Sequence, residues 1–228
     1  MKKAKPGYAF VPRLLPAGGT MAVLGSGPSL AAADVDLLRG RVDGVIAVNN
    51  AYVLAPWATA LYAADGKWWK WHNGACESHV VERVTYPAFP GLKYCLAATK
   101  WKDVQVLRRG PEVGLTADPS RVALGRNGVY QAINLAVHFG ATRILLLGVD
   151  MANGQRADGK GSSDHFFGHH PDHTAPQFSL CLERFPTMLK PLADLGVEVL
   201  NCSRRTALKA FPLVSLEEAL ALPVAVSA

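Results

Sequence analysis

The chain has 228 residues, half of them apolar and 18% charged, which suits one α/β domain with a sizeable core and excludes an intrinsically disordered chain. Lys and Arg outnumber Asp and Glu by 24 to 18, a formal net charge of +6, so anionic ligands of several kinds are favoured without a choice among them. No stretch reaches the roughly 18 apolar residues of a membrane span, and no basic run with interleaved aromatics makes nucleic acid the favoured partner.

The four cysteines (Cys76, Cys95, Cys181, Cys202) are widely spaced and form no C-x-x-C pair. That spacing argues against a disulfide framework or a zinc knuckle, and a reducing, cytoplasmic setting is expected. No apolar leader segment follows Met1, because Pro6, Pro12, Arg13 and Pro16 interrupt the stretch.

In chain order, residues 1–19 are rich in Lys, Pro and Gly and are expected as a flexible arm before a single domain over 20–228. Thr20 to Leu24 reads as a short buried strand that runs directly into Gly25-Ser26-Gly27-Pro28-Ser29. Leu30 to Leu38 follows at helical spacing, with Ser29 placed as its cap and Asp34 and Asp36 in the early turns. Gly44 to Val48 and Thr59 to Ala63 read as further strands, ending in Asn49-Asn50 and Asp65-Gly66. The segment 67–114 is broken by Pro87, Pro90 and Pro111. Within it, Trp68, Trp69 and Trp71 suggest an aromatic packing cluster, and Asp103 to Leu107 is a weak strand signal.

Gly128 to Phe139 carries an apolar face at helical period and stops at Gly140. Arg143 to Leu147 is an unbroken apolar run, as expected of a strand buried on both faces of a parallel sheet. It ends in Gly148-Val149-Asp150. A polar loop over 152–168 leads to a predicted helix from Ala175 to Leu195, then a strand from Val197 to Leu200 ending in Asn201. Ser215 to Leu222 reads as a short capped helix. Strand, polar turn and helix alternate, which predicts a Rossmann-like, doubly wound and mostly parallel sheet with helices on both faces. Its ligands sit beyond the carboxyl ends of the strands.

The candidate site residues fall at those ends. The Gly25–Ser29 loop can let a phosphate approach the backbone at a helix start, with Ser26 and Ser29 adding hydroxyls around Gly27 and Pro28. Asn49 and Asn50 offer donor and acceptor groups to a base or ribose, or cap a helix. Asp65 and Asp150 suit ribose hydroxyls or a divalent ion on phosphates, or again a helix cap. Asn127 and Gly128 open a second helix. Four of the seven histidines lie between His165 and His173; such a loop can supply a general base, with a metal site as the lesser reading. No metal site is assigned.

The order Gly-Ser-Gly-Pro-Ser-Leu, Asn49, and Asn127-Gly-Val-Tyr-Gln-Ala-Ile-Asn through Leu147-Gly-Val-Asp-Met resembles two related groups. The C-terminal Leu-Asn-Cys-Ser and Ala-Leu-Lys-Ala-Phe-Pro also resemble them. One group is the bacterial CMP-sialic-acid-dependent sialyltransferases of glycosyltransferase family 42; the other is the hydroxymethylpterin pyrophosphokinase (MptE-like) family with a Rossmann-like core. The resemblance covers roughly residues 20–50 and 124–220.

The first group implies a glycosyltransferase-like enzyme with a CMP-sugar-like donor, held by the glycine loop and Asn49. A histidine of the His165-Phe166-Phe167-Gly168-His169 segment would be the general base for a hydroxyl acceptor: His169 by alignment, with His165 beside it. That chemistry implies no required cofactor. The second group implies a Mg-ATP-dependent diphosphotransferase with magnesium near Asp65 and Asp150, and a non-catalytic nucleotide-binding protein is the third reading. A homo-oligomer is compatible with all three. The chain departs from the sialyltransferase pattern at Ser26, Asn127 and Ala152, and it has no tyrosine beyond Tyr130.

Overall fold

The computed structural model describes residues 7–81, 84–168 and 177–223. Its centre is one parallel sheet of seven strands: β1 (Thr20–Leu24), β2 (Gly44–Val48), β3 (Ala60–Tyr62), β4 (Leu92–Cys95), β5 (Val104–Val106), β6 (Arg143–Leu147) and β7 (Glu198–Asn201). Their order across the sheet is β7-β6-β1-β2-β3-β4-β5. The chain therefore builds outward from β1 in one direction, returns, and completes the sheet on the other side. The fold is Rossmann-like α/β.

The buried strands obey the period of two. Met21 and Val23 of β1, Ile46 and Val48 of β2, and Ile144 and Leu146 of β6 enter one apolar layer with α3 (Gly128–Phe139). Ala22 and Leu24, Val45 and Ala47, and Leu145 and Leu147 enter the opposite layer, with Val35 of α1 (Ala32–Leu37) and Trp68 and Trp69 of α2 (Gly66–Trp71). A strand apolar at every position needs cover on both faces, and this one has it.

Several expectations are corrected. Residues 7–19 are not a loose arm: Val11 and Leu15 are buried, Ala9 donates to Val106, and Leu14 and Leu15 donate to the Phe139 carbonyl at the end of α3. The first helix starts at Ala32 rather than Leu30 and has no side-chain cap. The helix expected to end at Leu195 is divided into α4 (Phe178–Leu182), a 3-10 turn (Phe185–Met188) and α5 (Leu189–Asp194), broken where Pro186 and Pro191 fall. Leu92–Cys95 was not expected as a strand at all. Its Lys93 is buried by donating to the Asp103 carboxylate at 2.6 Å and the Ala75 carbonyl at 3.0 Å, so a charge sits inside a sheet without being unpaired.

α3 matches its predicted bounds and ends on Gly140 at φ 97°. α6 (Leu216–Ala221) opens with a full Ser215–Glu218 capping box. Arg143, at the start of β6, is buried and ties the C-terminal end down. It contacts Glu198 at 2.7 Å and the Leu222 and Pro223 carbonyls at 2.8 and 2.7 Å.

Candidate functional site

Strand order reverses between β1 and β6, and at such a point the loops leaving the two strands part and open a crevice. In-register pairing of Leu24 with Leu147, and of Leu24 with Ala47, brings the three loop starts to one level. The crevice is a cleft of about 90 Å³ lined by Ser26, Gly27, Asn49, Asn127, Gly128 and Asp150 among others. With His165, which lines the same cleft, seven of the residues expected at the site meet in one place.

The glycine loop is fixed from below by β6. Gly25 N–H donates to Leu147 and Gly27 N–H to Gly148, at 2.8 and 2.7 Å. Asp150, 4% exposed, accepts from the Ser29 backbone N–H at 2.9 Å and from the Ser29 hydroxyl at 2.6 Å. A Cβ on Gly27 would overlap the Asp150 carboxylate, so only glycine fits between the loop and this clamp. Burial pushes the Asp150 carboxyl above its ordinary range, opposed by the Ser29 hydrogen bonds and by Arg205. Ser29 thus spends both donors on Asp150 instead of capping the following helix, and Asp150 organises the loop.

Asn127 is the side-chain cap of α3. Its Oδ1 accepts from Val129 and Tyr130 N–H at 2.8 and 3.3 Å. The N–H of Gly128 is left at the helix start beside the cleft, in the positive end of the helix dipole. A Cβ on Gly128 would stand 2.9 Å from Val48 Cγ1, so that close approach also requires glycine. Strained backbone gathers here as well: Asn49, Arg126 and Met151 have φ of 52°, 57° and 52°. Asn49 and Met151 line the cleft and Arg126 precedes the α3 cap. Left-handed non-glycine residues persist where surrounding contacts over-determine them, and they cluster at functional sites.

The far wall is the segment 163–168. The Phe166 N–H donates to the Ser26 carbonyl at 3.1 Å, and further along the polar loop Ala157 donates to Pro28 at 2.8 Å. His165 and Asp164 line the cleft, with Nε2 and Oδ2 3.7 Å apart and both side chains mostly buried. The His165 ring stacks on Phe167 at 4.9 Å. A carboxylate beside an imidazole stabilises its protonated form and orients the ring. This arrangement can accept a proton from a hydroxyl and can bind an anionic group through N–H donors. His169 lies outside the described residues.

Other expected residues go elsewhere. Asp65 is the exposed cap of α2, accepting from Lys67 N–H at 2.8 Å. Three strand spacings separate β3 from β6, about 14 Å, so Asp65 and Asp150 are not brought onto one ion. Asn50 is buried and accepts from Trp68 Nε1 at 2.8 Å. Trp68 and Trp69 are packing residues of the sheet face. Sequence reasoning did not single out Met151 or Phe178, which also line the cleft; neither carries a motif of its own.

The fold is similar to that of a solved structure, the MAf glycosyltransferase from Magnetospirillum magneticum AMB-1. The TM-score is 0.58 at 12% identity, over 95% of this chain and 36% of that one. The chain thus spans about a third of that protein's length, and the likeness is one of fold. No family model and no curated protein matches the chain.

Proposed function

We propose that the chain is a glycosyltransferase-like enzyme that uses a nucleotide-activated donor of CMP-sugar type. The observation that carries this reading is the convergence of the glycine loop, the α3 start and the Asp164–His165 pair on one cleft at the strand-order reversal. The fold shared with a glycosyltransferase supports it.

The donor's phosphate enters the cleft, whose volume of about 90 Å³ is below the roughly 300–1,000 Å³ of a pocket for a whole drug-sized ligand. The nucleoside lies at its mouth, with Asn49 as its polar contact. Among the described residues, the cleft's side chains include two carboxylates, Asp150 and Asp164, and no Lys or Arg. The phosphate is therefore held by backbone N–H groups such as that of Gly128 rather than by a cation.

In the transfer, His165 or His169 takes the proton of an acceptor hydroxyl as that oxygen forms a bond to the donor's anomeric carbon. The bond from that carbon to the phosphate oxygen breaks, and the nucleotide leaves with the electron pair. Preorganised N–H donors stabilise the charge that develops on it. Asp164 stabilises the imidazolium when His165 is the base.

A thermal-shift series with CMP, UDP and ATP, each with and without magnesium, tests the binding half. At about 100 times its dissociation constant, a true ligand adds about 2.7 kcal/mol of stability. CMP acting without metal is the expected result. ATP acting only with magnesium would replace this reading by diphosphate transfer. His165→Ala and His169→Ala then separate the two candidate bases, and turnover unaffected by both would end the assignment of a histidine base.

A further inference from the structure

On the α1 face of the sheet edge, across the segment 163–168 from the cleft, lies a second and larger pocket of about 600 Å³. The two cavities abut through neighbours in sequence. Asn49 and His165 line the cleft, whereas Asn50 and Phe166 line the pocket. Both pairs lie in tight turns, Asn49–Asn50 at the start of a 3-10 turn and His165–Phe166 between His165 and Gly168, so each turn is wall to both cavities.

The pocket has the size of a small-molecule site and the mixed lining of one. Leu30, Val53 and Leu54 form an apolar surface, and Tyr86 and Phe166 add aromatic rings. Asn50 has its Oδ1 held by Trp68, and its amide nitrogen, a donor, has no hydrogen-bond partner among the described residues.

The charge has a positive excess of one. Arg156, Lys160 and Arg204 line the pocket against two carboxylates, Asp158 in the lining and Asp34 behind Arg204. Arg204 is held by Asp34 through two contacts of 2.7 Å, and Arg156 reaches Asp158 at 2.6 Å. The Arg156 Nε nevertheless lies buried without a hydrogen-bond partner, an unmet donor of the kind a ligand satisfies. Lys160 has no ion-pair partner among the described residues. An apolar, aromatic surface rimmed by excess positive charge selects an anion with a hydrophobic body.

We propose that this pocket seats the acceptor, and that the acceptor is a phosphate monoester or carboxylate attached to a ring-sized or short aliphatic body. The assignment as acceptor subsite rests on the glycosyltransferase-like reading; the binding preference does not.

The test is calorimetric titration of the intact chain with 4-nitrophenyl phosphate, with 4-nitrobenzoate to separate phosphate from carboxylate, and with 4-nitroanisole as the uncharged analogue. CMP is titrated separately into every variant. We expect one of the two anions to bind and 4-nitroanisole to bind about tenfold or more weakly, the worth of one charge-assisted hydrogen bond. Ala33→Trp, which fills the pocket from α1, should abolish anion binding. The double variant Arg156→Gln, Lys160→Gln should weaken it about tenfold or more. CMP affinity should stay unchanged in both.

Failure of both anions to bind, retention of binding in Ala33→Trp, or displacement of the anion by CMP would each overturn the pocket assignment. Loss of CMP binding in the parent chain would instead overturn the reading of the cleft, and the anion titrations would still stand.

Discussion

Removing the Asp150 carboxylate with Asp150→Ala should cost the fold about 2–6 kcal/mol. That figure follows from two buried donors, the Ser29 N–H and hydroxyl, left without an acceptor at about 1–3 kcal/mol each. It is a large share of the roughly 5–15 kcal/mol by which domains are stable. With a urea m value of about 3 kcal/mol/M, the unfolding midpoint should fall by about 0.7–2 M.

Asp150→Asn is the informative partner. Its amide oxygen can accept from the Ser29 N–H while its amide nitrogen donates to the Ser29 hydroxyl oxygen. Both contacts persist, and the variant should stay within about 1 kcal/mol of the parent. The pH dependence separates the two further. Because burial raises the Asp150 carboxyl, the folded state holds that proton more tightly than the unfolded chain. The contribution to stability is then fully present below the unfolded carboxylate value near 4, and is lost as pH rises through the raised folded value. Asp150→Asn lacks this decline, so its stability relative to the parent should improve as pH rises above the unfolded carboxylate value of about 4. An alanine variant within about 0.5 kcal/mol of the parent would refute the clamp, because it would mean Ser29 finds other partners.

Three further outcomes are expected. Asn127→Ala should destabilise by about 0.5–2 kcal/mol through loss of the α3 cap; Asn127→Asp should keep that stability, so a loss of CMP affinity in Asn127→Asp reports the new negative charge beside the phosphate rather than fraying of α3. Arg143→Met should cost about 1–3 kcal/mol by leaving the Leu222 and Pro223 carbonyls without their donor, the half-exposed Glu198 being resolvated, and hydrogen exchange should show α6 losing protection first. Ellman's reagent should label one thiol in the native protein, the exposed Cys76, and four in urea. Cys95, Cys181 and Cys202 are buried and burial pushes Cys202 up to about 12, whereas a second rapidly reacting native thiol would contradict this packing.

The legible parts of the sequence are those governed by local rules. β1, β2, β6 and α3 match their expected bounds because a strand covered on both faces is apolar throughout and a capped helix carries its own stop. β4 was hidden by Lys93, whose charge is neutralised by Asp103, a residue in the next connection. The role of Ser29 was misread because its partner is 121 residues away, and no spacing rule reports such a contact. The meeting of Ser26, Asn49 and Asp150 was legible from strand ends and that of Asn127 from a helix start, whereas Asp65, also at a strand end, caps α2 instead. The second pocket was not legible, since Leu30, Tyr86 and Arg156 come from three separated connections.

The central position of β1 also has a consequence for biosynthesis. Thr20–Leu24 can pair with β2 soon after both strands emerge, yet its other neighbour is Arg143–Leu147, more than a hundred residues later. Until that segment is made, the nascent chain carries the unpaired edge of a strand that is buried throughout in the finished fold, the kind of edge that recruits other chains. The cleft comes into being only when that edge is closed. The candidate site is therefore completed late and in one step, and a fragment ending before β6 should aggregate.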